Sequence, residues 1–401
     1  MTESPRLRWG IVALLCAATT INYVDRQTLS ILSPLIRKEL HLTERDYANI
    51  VTAFLIPYTV MYALGGRIID AIGVRLGLFL SLGWWSLATM LTAFVRGAFS
   101  LGAMRFLLGL GEPCVYPSGV KVCGEWFAPR LRATATGIFS AGSSIGAVIA
   151  PPLIAAITYY FGWRAAFFIP GMLGLLWLPL WWFTYRPAPR NETEVSPPAP
   201  RWSQLLRQRT VWGLILPRFF SDPVWYFYIF WLPDYLQRER HLSLAEIGFY
   251  GWIPFLFADL GSIGGGYLSD LLVRRGMASP RARMMVLFAI GCLAPIGAIA
   301  GIVPTAASAI AVTCFVAFLT QAWSTNTASL CADLTPHAAT ATVFGMMGMA
   351  GSLAGAFFAQ ILGFAIQHFG YSSAFVLASV LHPCAATILF FVLRPVRKQL
   401  A

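Results

Sequence analysis

GGRIID at residues 65–70 returns as GGYLSD at residues 265–270, and basic residues follow both copies: Arg75 after the first, Arg274 and Arg275 after the second. KELHLTERDY at 38–47 and RERHLSLAEI at 238–247 repeat at the same spacing of 200. FGWRAAFF, starting at 161, and FGYSSAFV, starting at 369, open segments that end in Arg186-Pro187 and Arg394-Pro395, at a spacing of 208. Three matches in one order and almost one register mark an internal duplication. The halves run over 1–185 and 211–401, joined by a polar, proline-rich linker over 186–210.

The material between the repeats is apolar. Of 401 residues, 57% are hydrophobic and only 11% charged, and the mean hydropathy is +0.66. A soluble globular chain is roughly 25% charged. Windows of the ~20 residues that cross a hydrocarbon core as a helix fall at 9–31, 47–66, 76–96, 100–123, 133–158 and 163–185. Six more follow at 211–236, 245–268, 284–303, 305–330, 340–366 and 371–393. The expectation is an all-α integral membrane protein of twelve transmembrane helices in two pseudo-symmetric six-helix bundles, with a binding site where the halves meet.

A net charge of +12 would suggest nucleic acid in a soluble protein; here the charges alternate by loop and point to a lipid bilayer instead. Arg67, Arg75, Arg130, Arg132, the stretch from Arg186 to Arg209, Arg274, Arg275, Arg281, Arg283, Arg394, Arg397 and Lys398 fall on one side. The opposite loops RKELHLTERD and RERHLSLAE are balanced. The positive-inside rule makes the basic side, the linker and both termini cytoplasmic. The first apolar segment is long enough to span and lacks a small-residue cleavage site, so it reads as a retained helix. The seven cysteines form no CxxC pair and lie almost entirely in apolar segments, which indicates neither a disulfide framework nor a metal site. Nothing in the sequence calls for a cofactor.

GGRIIDAIGVRLG after helix 2 and GGYLSDLLVRRG after helix 8 resemble the loop signature of the major facilitator superfamily. Gly66, Asp70, Gly73 and Arg75 match it in the first copy; Gly266, Asp270, Arg274 and Arg275 match it in the second. An Asp at a helix end with basic neighbours can make charge-assisted contacts that hold one conformation, so Gly66, Asp70, Arg75, Asp270 and Arg274 read as gate residues. The resemblance narrows through INYVDRQTLS (21–30), GLGEPCVYPSGVKVCGEWF (109–127), RATATGIFSAGSSIGAVIAPP (132–152), WYFYIFWLPDYL (225–236) and QAWSTN (321–326). These are similar to the anion:cation symporter family, and Asp-Arg-Gln with Gln-Ala-Trp-Ser-x-Asn looks most like its bacterial hexuronate transporters. The resemblance implies a monomer in a bacterial inner membrane that carries a small sugar-acid anion together with protons.

Helices 1 and 4 carry Asp25, Arg26, Arg105 and Glu112. A charge at the centre of a spanning helix costs roughly 2.5 to 3.5 kcal/mol on insertion scales, so these residues are either a static ion-pair cluster or a working site. Adjacent residues diverge by about 100°, which keeps Asp25 and Arg26 from facing one partner. Tyr23, Arg26 and Gln27 share one face, and Asn22 and Asp25 another. Arg26, a permanent cation with a forked donor array, suits a substrate carboxylate. Asp25 and Glu112, able to gain and lose a proton, suit coupling. Arg105 and Glu112, seven residues apart, are expected on one face of helix 4, about 10 Å apart along the axis, with Arg105 at a depth to pair with Asp25.

Neutral partners for sugar hydroxyls are Tyr58 in helix 2, Ser140, Ser143 and Ser144 in helix 5, and Gln321, Trp323 and Asn326 in helix 10. Trp323 can stack on a pyranose ring or pack as an ordinary aromatic. The serines can line a cavity or close helix contacts. Arg218 and Asp222, an i, i+4 pair, read as structural; Tyr226 and Tyr228 could cap the cavity from the second half; Asp259 and Asp333 read as packing or gate residues. No HExxH motif is present, no paired His-Asp set sits in a helix and the five histidines mostly flank helices, which argues against a membrane-embedded enzyme. The alternatives left open are a symporter for another organic anion such as an aldonate or aromatic acid, sodium coupling, and a non-transporting sensor on the same scaffold.

Overall fold

The computed structural model describes residues 5–42, 44–187, 200–242, 246 and 250–399. Residues 188–199 of the central linker, and 243–245 and 247–249 at and just after the second repeat copy, lie outside the described residues.

Among the described residues every regular element is helical. The first half contains α1 (Pro5–Glu39), α2 (Glu44–Ile72), α3 (Val74–Thr92), α4 (98–126), α5 (Pro129–Phe161) and α6 (Ala165–Thr184). A single turn at Trp202–Leu205 precedes the second half: α7 (Arg209–Arg238), α8 (Ile253–Arg274), α9 (279–301, its last turns tightened to a 3-10 helix at Ala294–Gly301) and α10 (Ala306–Leu334). The run Thr340–Gln399 is broken at Gly370, where φ is 76°; α11 is the part at 340–369 and α12 the part at 371–399. Nine helical segments among the described residues are long and apolar enough to span a membrane on composition alone. The other three long helices are α4 and α7, which carry charges, and the glycine-rich α8.

The sequence repeat has a backbone meaning. His41 and His241 are the two described non-glycine residues at positive φ, 51° and 55°. Each ends a helix in the left-handed conformation, which histidine tolerates better than most residues. The turn is closed by Leu42 N–H to Arg37 O at 2.9 Å in one copy and Leu242 N–H to Leu236 O at 3.1 Å in the other. Gly73 and Gly276 (φ 83° and 96°), and Gly162 and Gly370 (81° and 76°), occupy the matching turns further along each half.

The helices are apolar outside and polar within, the inverse of a soluble bundle. On α3, Leu76, Leu80, Trp84, Leu87 and Leu91 are exposed, while Ser81, Trp85, Ser86 and Thr89 are buried. This pattern requires a lipid solvent, and the chain is an integral membrane protein. Each half packs a core of its own. In the first, Val24, Leu32 and Ile36 of α1 meet Ile50, Leu101, Ile154, Trp163 and Phe167. In the second, Phe227 and Tyr235 of α7 meet Val316, Leu362 and Phe375. In the second unit α8 and α10 approach so closely that a side chain on Gly261 would meet the backbone of Phe318, and one on Gly265 the side chain of Ala322.

The compact units depart from a cut at the linker in two places. Residues 338–345 group with the first unit and 127–137 with the second. The first regrouping follows from Asp70, whose side chain is fully buried and accepts the Thr342 amide at 2.7 Å, the Thr342 hydroxyl at 2.6 Å and Lys121 Nζ at 2.6 Å. The second follows from Asp270, which accepts the Thr134 amide at 2.8 Å and hydroxyl at 2.6 Å and pairs with Arg283 at 2.7 Å. In both units a carboxylate caps the positive end of a helix.

Candidate functional site

Pro113 shapes the site in the first unit. It has no N–H for the carbonyl four residues back, and α4 passes at Glu112–Cys114 through a 3-10 turn between its α-helical segments Ala98–Gly111 and Val115–Trp126. The Ser81 hydroxyl of α3 donates to the Gly111 carbonyl at this break, at 2.7 Å. The turn carries the carboxylate of Glu112, whose side chain is fully buried, toward α1.

There it meets Arg26. Nε and Nη2 of Arg26 donate to one oxygen, Oε2, of Glu112 at 3.1 and 2.7 Å. The Arg26 side chain keeps 29% of its surface exposed. Aromatic rings surround the guanidinium: Tyr58 at 4.6 Å, Tyr23 at 5.1 Å and Phe54 at 5.5 Å from ring centre to Cζ. Tyr116, one turn beyond Glu112 on α4, lies beside Tyr23, Tyr58, Ser143 and Arg26. The Ser143 hydroxyl donates to Ser140 O of its own helix at 2.8 Å. A cation in an aromatic enclosure with one open side and a carboxylate already against it is built to exchange one carboxylate for another.

Asp25 points elsewhere, as the angular divergence requires. It is fully buried. Arg105 and Glu112 are its charged neighbours, and Trp85 and Thr89 are its polar neighbours from α3. Arg105 neighbours Asp25, at the depth expected, and its guanidinium also lies over the Phe167 ring at 5.4 Å. The direct pair is Arg26–Glu112, and Arg105 and Glu112 both neighbour Asp25, as their spacing of seven on α4 allows.

In the second unit, Gln321 is half-buried on α10. Trp323 turns inward, 1% exposed, with its ring edge-on to His382 at 5.3 Å. Asn326, fully buried, donates from Nδ2 to Gly265 O at 3.0 Å and Ala322 O at 2.9 Å, tying α10 to α8. Both side chains are buried within the second unit. Arg218 pairs with Asp222 at 3.0 Å and donates to Ser324 Oγ at 3.1 Å.

The gate residues also find partners the spacing did not suggest. Gly66 is required because a side chain there would meet the carbonyl of Ala341. Arg75 leaves Asp70 to Lys121, donating instead to Trp182 O at 2.6 Å and stacking on that ring at 4.5 Å. Arg274 lies over the exposed Tyr267 ring at 5.5 Å, and Arg283 takes its expected place at Asp270. Arg283 also reaches Asp333, which accepts from Arg132 and Ser279 as well. Lys121 had a sequence signal that was not used, a lone cation in the apolar run GVKVCGEW. Phe54 and Tyr116 had one too: each stands four residues from a recognised site residue, Tyr58 or Glu112. Among the described residues no cluster of three His, Cys, Asp or Glu is placed to hold a metal.

The sequence profile of the Major Facilitator Superfamily matches residues 15–359. A hexuronate transporter of Escherichia coli (strain K12) is 32% identical over 415 residues, covering 98% of this chain and 96% of that protein. A galacturonate transporter of Dickeya chrysanthemi is 31% identical, covering 73% of this chain and 90% of that protein. The crystal structure of the human organic anion transporter MFSD10 superposes with a TM-score of 0.78 at 14% identity, over 96% of this chain and 100% of that one, a likeness of fold.

Proposed function

The chain belongs to the major facilitator superfamily, and on that premise we propose that it is a secondary transporter carrying a hexuronate such as glucuronate or galacturonate inward with protons by alternating access. The observation that carries this reading is the Arg26–Glu112 contact. Glu112 occupies the donors a sugar-acid carboxylate would use, so protonating Glu112 releases them and substrate binding and proton binding favour each other. Asp25, with Arg105 as its neighbouring cation, is the second proton site. Tyr23, Tyr58 and Ser143 are the candidate sugar contacts of the first unit, and Gln321, Trp323 and Asn326 the candidates on α10 of the second. Asp70 and Asp270, with Gly66, Arg75 and Arg274 around them, serve the gates. The protein acts as a monomer in a bacterial inner membrane with both termini in the cytoplasm. The substrate class is supported by the names of the relatives, and the orientation by the loop charges.

The test is uptake into proteoliposomes of labelled glucuronate and galacturonate under an imposed proton gradient, an imposed sodium gradient, or neither. Accumulation driven by the proton gradient and competed by both uronates is expected. Uptake that follows sodium, or that only an aldonate or aromatic acid competes, overturns the coupling or the substrate assignment respectively.

A further inference from the structure

Arg75 has no counter-ion in the protein. The nearby Asp70 carboxylate is taken by Lys121 and Thr342, and among the described residues no carboxylate pairs with Arg75. The half-buried side chain donates from Nη2 to Trp182 O at 2.6 Å, lies over the Trp182 ring at 4.5 Å, and leaves a buried Nε without a hydrogen bond. Trp181 Nε1 donates to Arg75 O at 3.1 Å and fixes the backbone beneath it. A permanent cation held half-buried and unpaired is costly and calls for an anion.

The groove beside it identifies that anion. Leu76, the residue after Arg75, and Phe79 of α3 line a cavity of about 460 Å³ with Leu175, Leu178, Pro179, Trp182 and Phe183 of α6, within the roughly 300–1,000 Å³ of ligand sites. The Trp182 and Phe79 rings meet at 5.0 Å across it, and Leu76 and Phe183 are 41% and 77% exposed, so it opens on the lipid-facing surface. From Leu175 to Phe183 it follows α6 for about 12 Å, close to the ~15 Å of one hydrocarbon leaflet. The 19 residues of α3 run about 28 Å, so its first turn, which carries Arg75, lies at headgroup level. We propose that this groove holds an acyl chain of an anionic diacyl phospholipid whose phosphate pairs with Arg75. Arg186, exposed just beyond the same end of α6, adds a second positive charge that favours a net negative headgroup. The site stands apart from the Arg26–Glu112 contact and is independent of which anion is carried.

The test is native mass spectrometry of the full-length protein in detergent, titrated with phosphatidylglycerol and phosphatidylethanolamine of matched acyl chains. Wild type is expected to bind one phosphatidylglycerol in preference to phosphatidylethanolamine. Arg75→Ala should weaken phosphatidylglycerol about tenfold, the loss of one charge-assisted contact, and erase the preference. Leu178→Trp leaves Arg75 in place but fills the groove, and should weaken both lipids. Arg164→Ala removes a cation at the other end of α6 and should bind as wild type does, which separates this site from general attraction to positive charge. A wild type without preference overturns the proposal, as does unchanged phosphatidylglycerol binding in either Arg75→Ala or Leu178→Trp. Displacement of the lipid by equimolar glycerol phosphate would show that a free phosphate suffices and overturn the groove as the site. A protein dimer that Leu178→Trp abolishes would make a second copy the occupant and equally overturn it.

Discussion

Glu112→Gln makes the competition at Arg26 measurable. The amide keeps the size of the carboxylate and one acceptor oxygen but removes the charge from a contact of two hydrogen bonds, 2.7 and 3.1 Å, made to a single oxygen. Hydrogen bonds to a charged partner are worth about 1.5–3 kcal/mol and neutral ones about 0.5–1.5. Two such bonds therefore lose about 2–3 kcal/mol of hold on Arg26. Because 29% of the arginine side chain is open, screening reduces the usable part to about 1.4 kcal/mol, which is tenfold in affinity. A substrate anion should thus bind the variant about tenfold more tightly than wild type at a pH where Glu112 is ionised. The difference should vanish at acidic pH, where wild-type Glu112 is itself protonated. Wild-type Kd for glucuronate, measured by calorimetry from pH 5 to pH 8, should weaken with rising pH, and the variant's curve should be flatter. If Glu112→Gln shows the wild-type Kd and the wild-type slope, Glu112 does not compete for Arg26 and the coupling argument fails.

Other expectations follow from particular contacts. Lys121→Ala strands Asp70, a fully buried carboxylate; breaking a buried pair costs about 3–5 kcal/mol, so the melting temperature in detergent should drop well below that of Arg75→Ala, whose side chain rests on Trp182, and equal losses would show that Arg75 is the true partner. His41→Gly should be neutral or slightly stabilising and His41→Val destabilising by about 1–2 kcal/mol in thermal unfolding, since the left-handed conformation penalises a β-branched residue; a tolerated valine would refute the αL turn at φ 51°. The Arg164 and Trp163 hydrogen bonds hold the Glu39 carboxyl below its ordinary value. With a lowered folded-state pKa, the contact contributes fully above the unfolded value of about 4.3 and is lost as pH falls through the folded one. Wild type should therefore outlast Glu39→Gln in thermal unfolding at pH 7 and match it near pH 3; an undiminished gap at low pH would contradict this.

Several features of this chain were legible without coordinates. The duplication, the helical membrane class and the charged faces of α1 depend on local periodicity and on the cost of placing polar groups in lipid, both of which are written along the chain. The divergence of Asp25 from Arg26 needs only the pitch of a helix, and the structure keeps it. What needed the tertiary structure were the partners. Regular spacing placed Arg105 and Glu112 on one face of α4, but only the packing of α1 against α4 brings Glu112 to Arg26. Trp323 and Asn326 read as ligands because polar and aromatic side chains in a membrane helix invite that reading. The close approach of α8 and α10 at Gly265 gives the Asn326 amide a neighbouring backbone to hold, and the packing of α12 against α10 sets Trp323 beside His382. Asp70 found Lys121 in place of nearby Arg75, and Asp270 found Arg283 in place of nearby Arg274. In each case the deciding quantity is a distance between segments far apart in the chain, set by how helices pack, and no local pattern carries it.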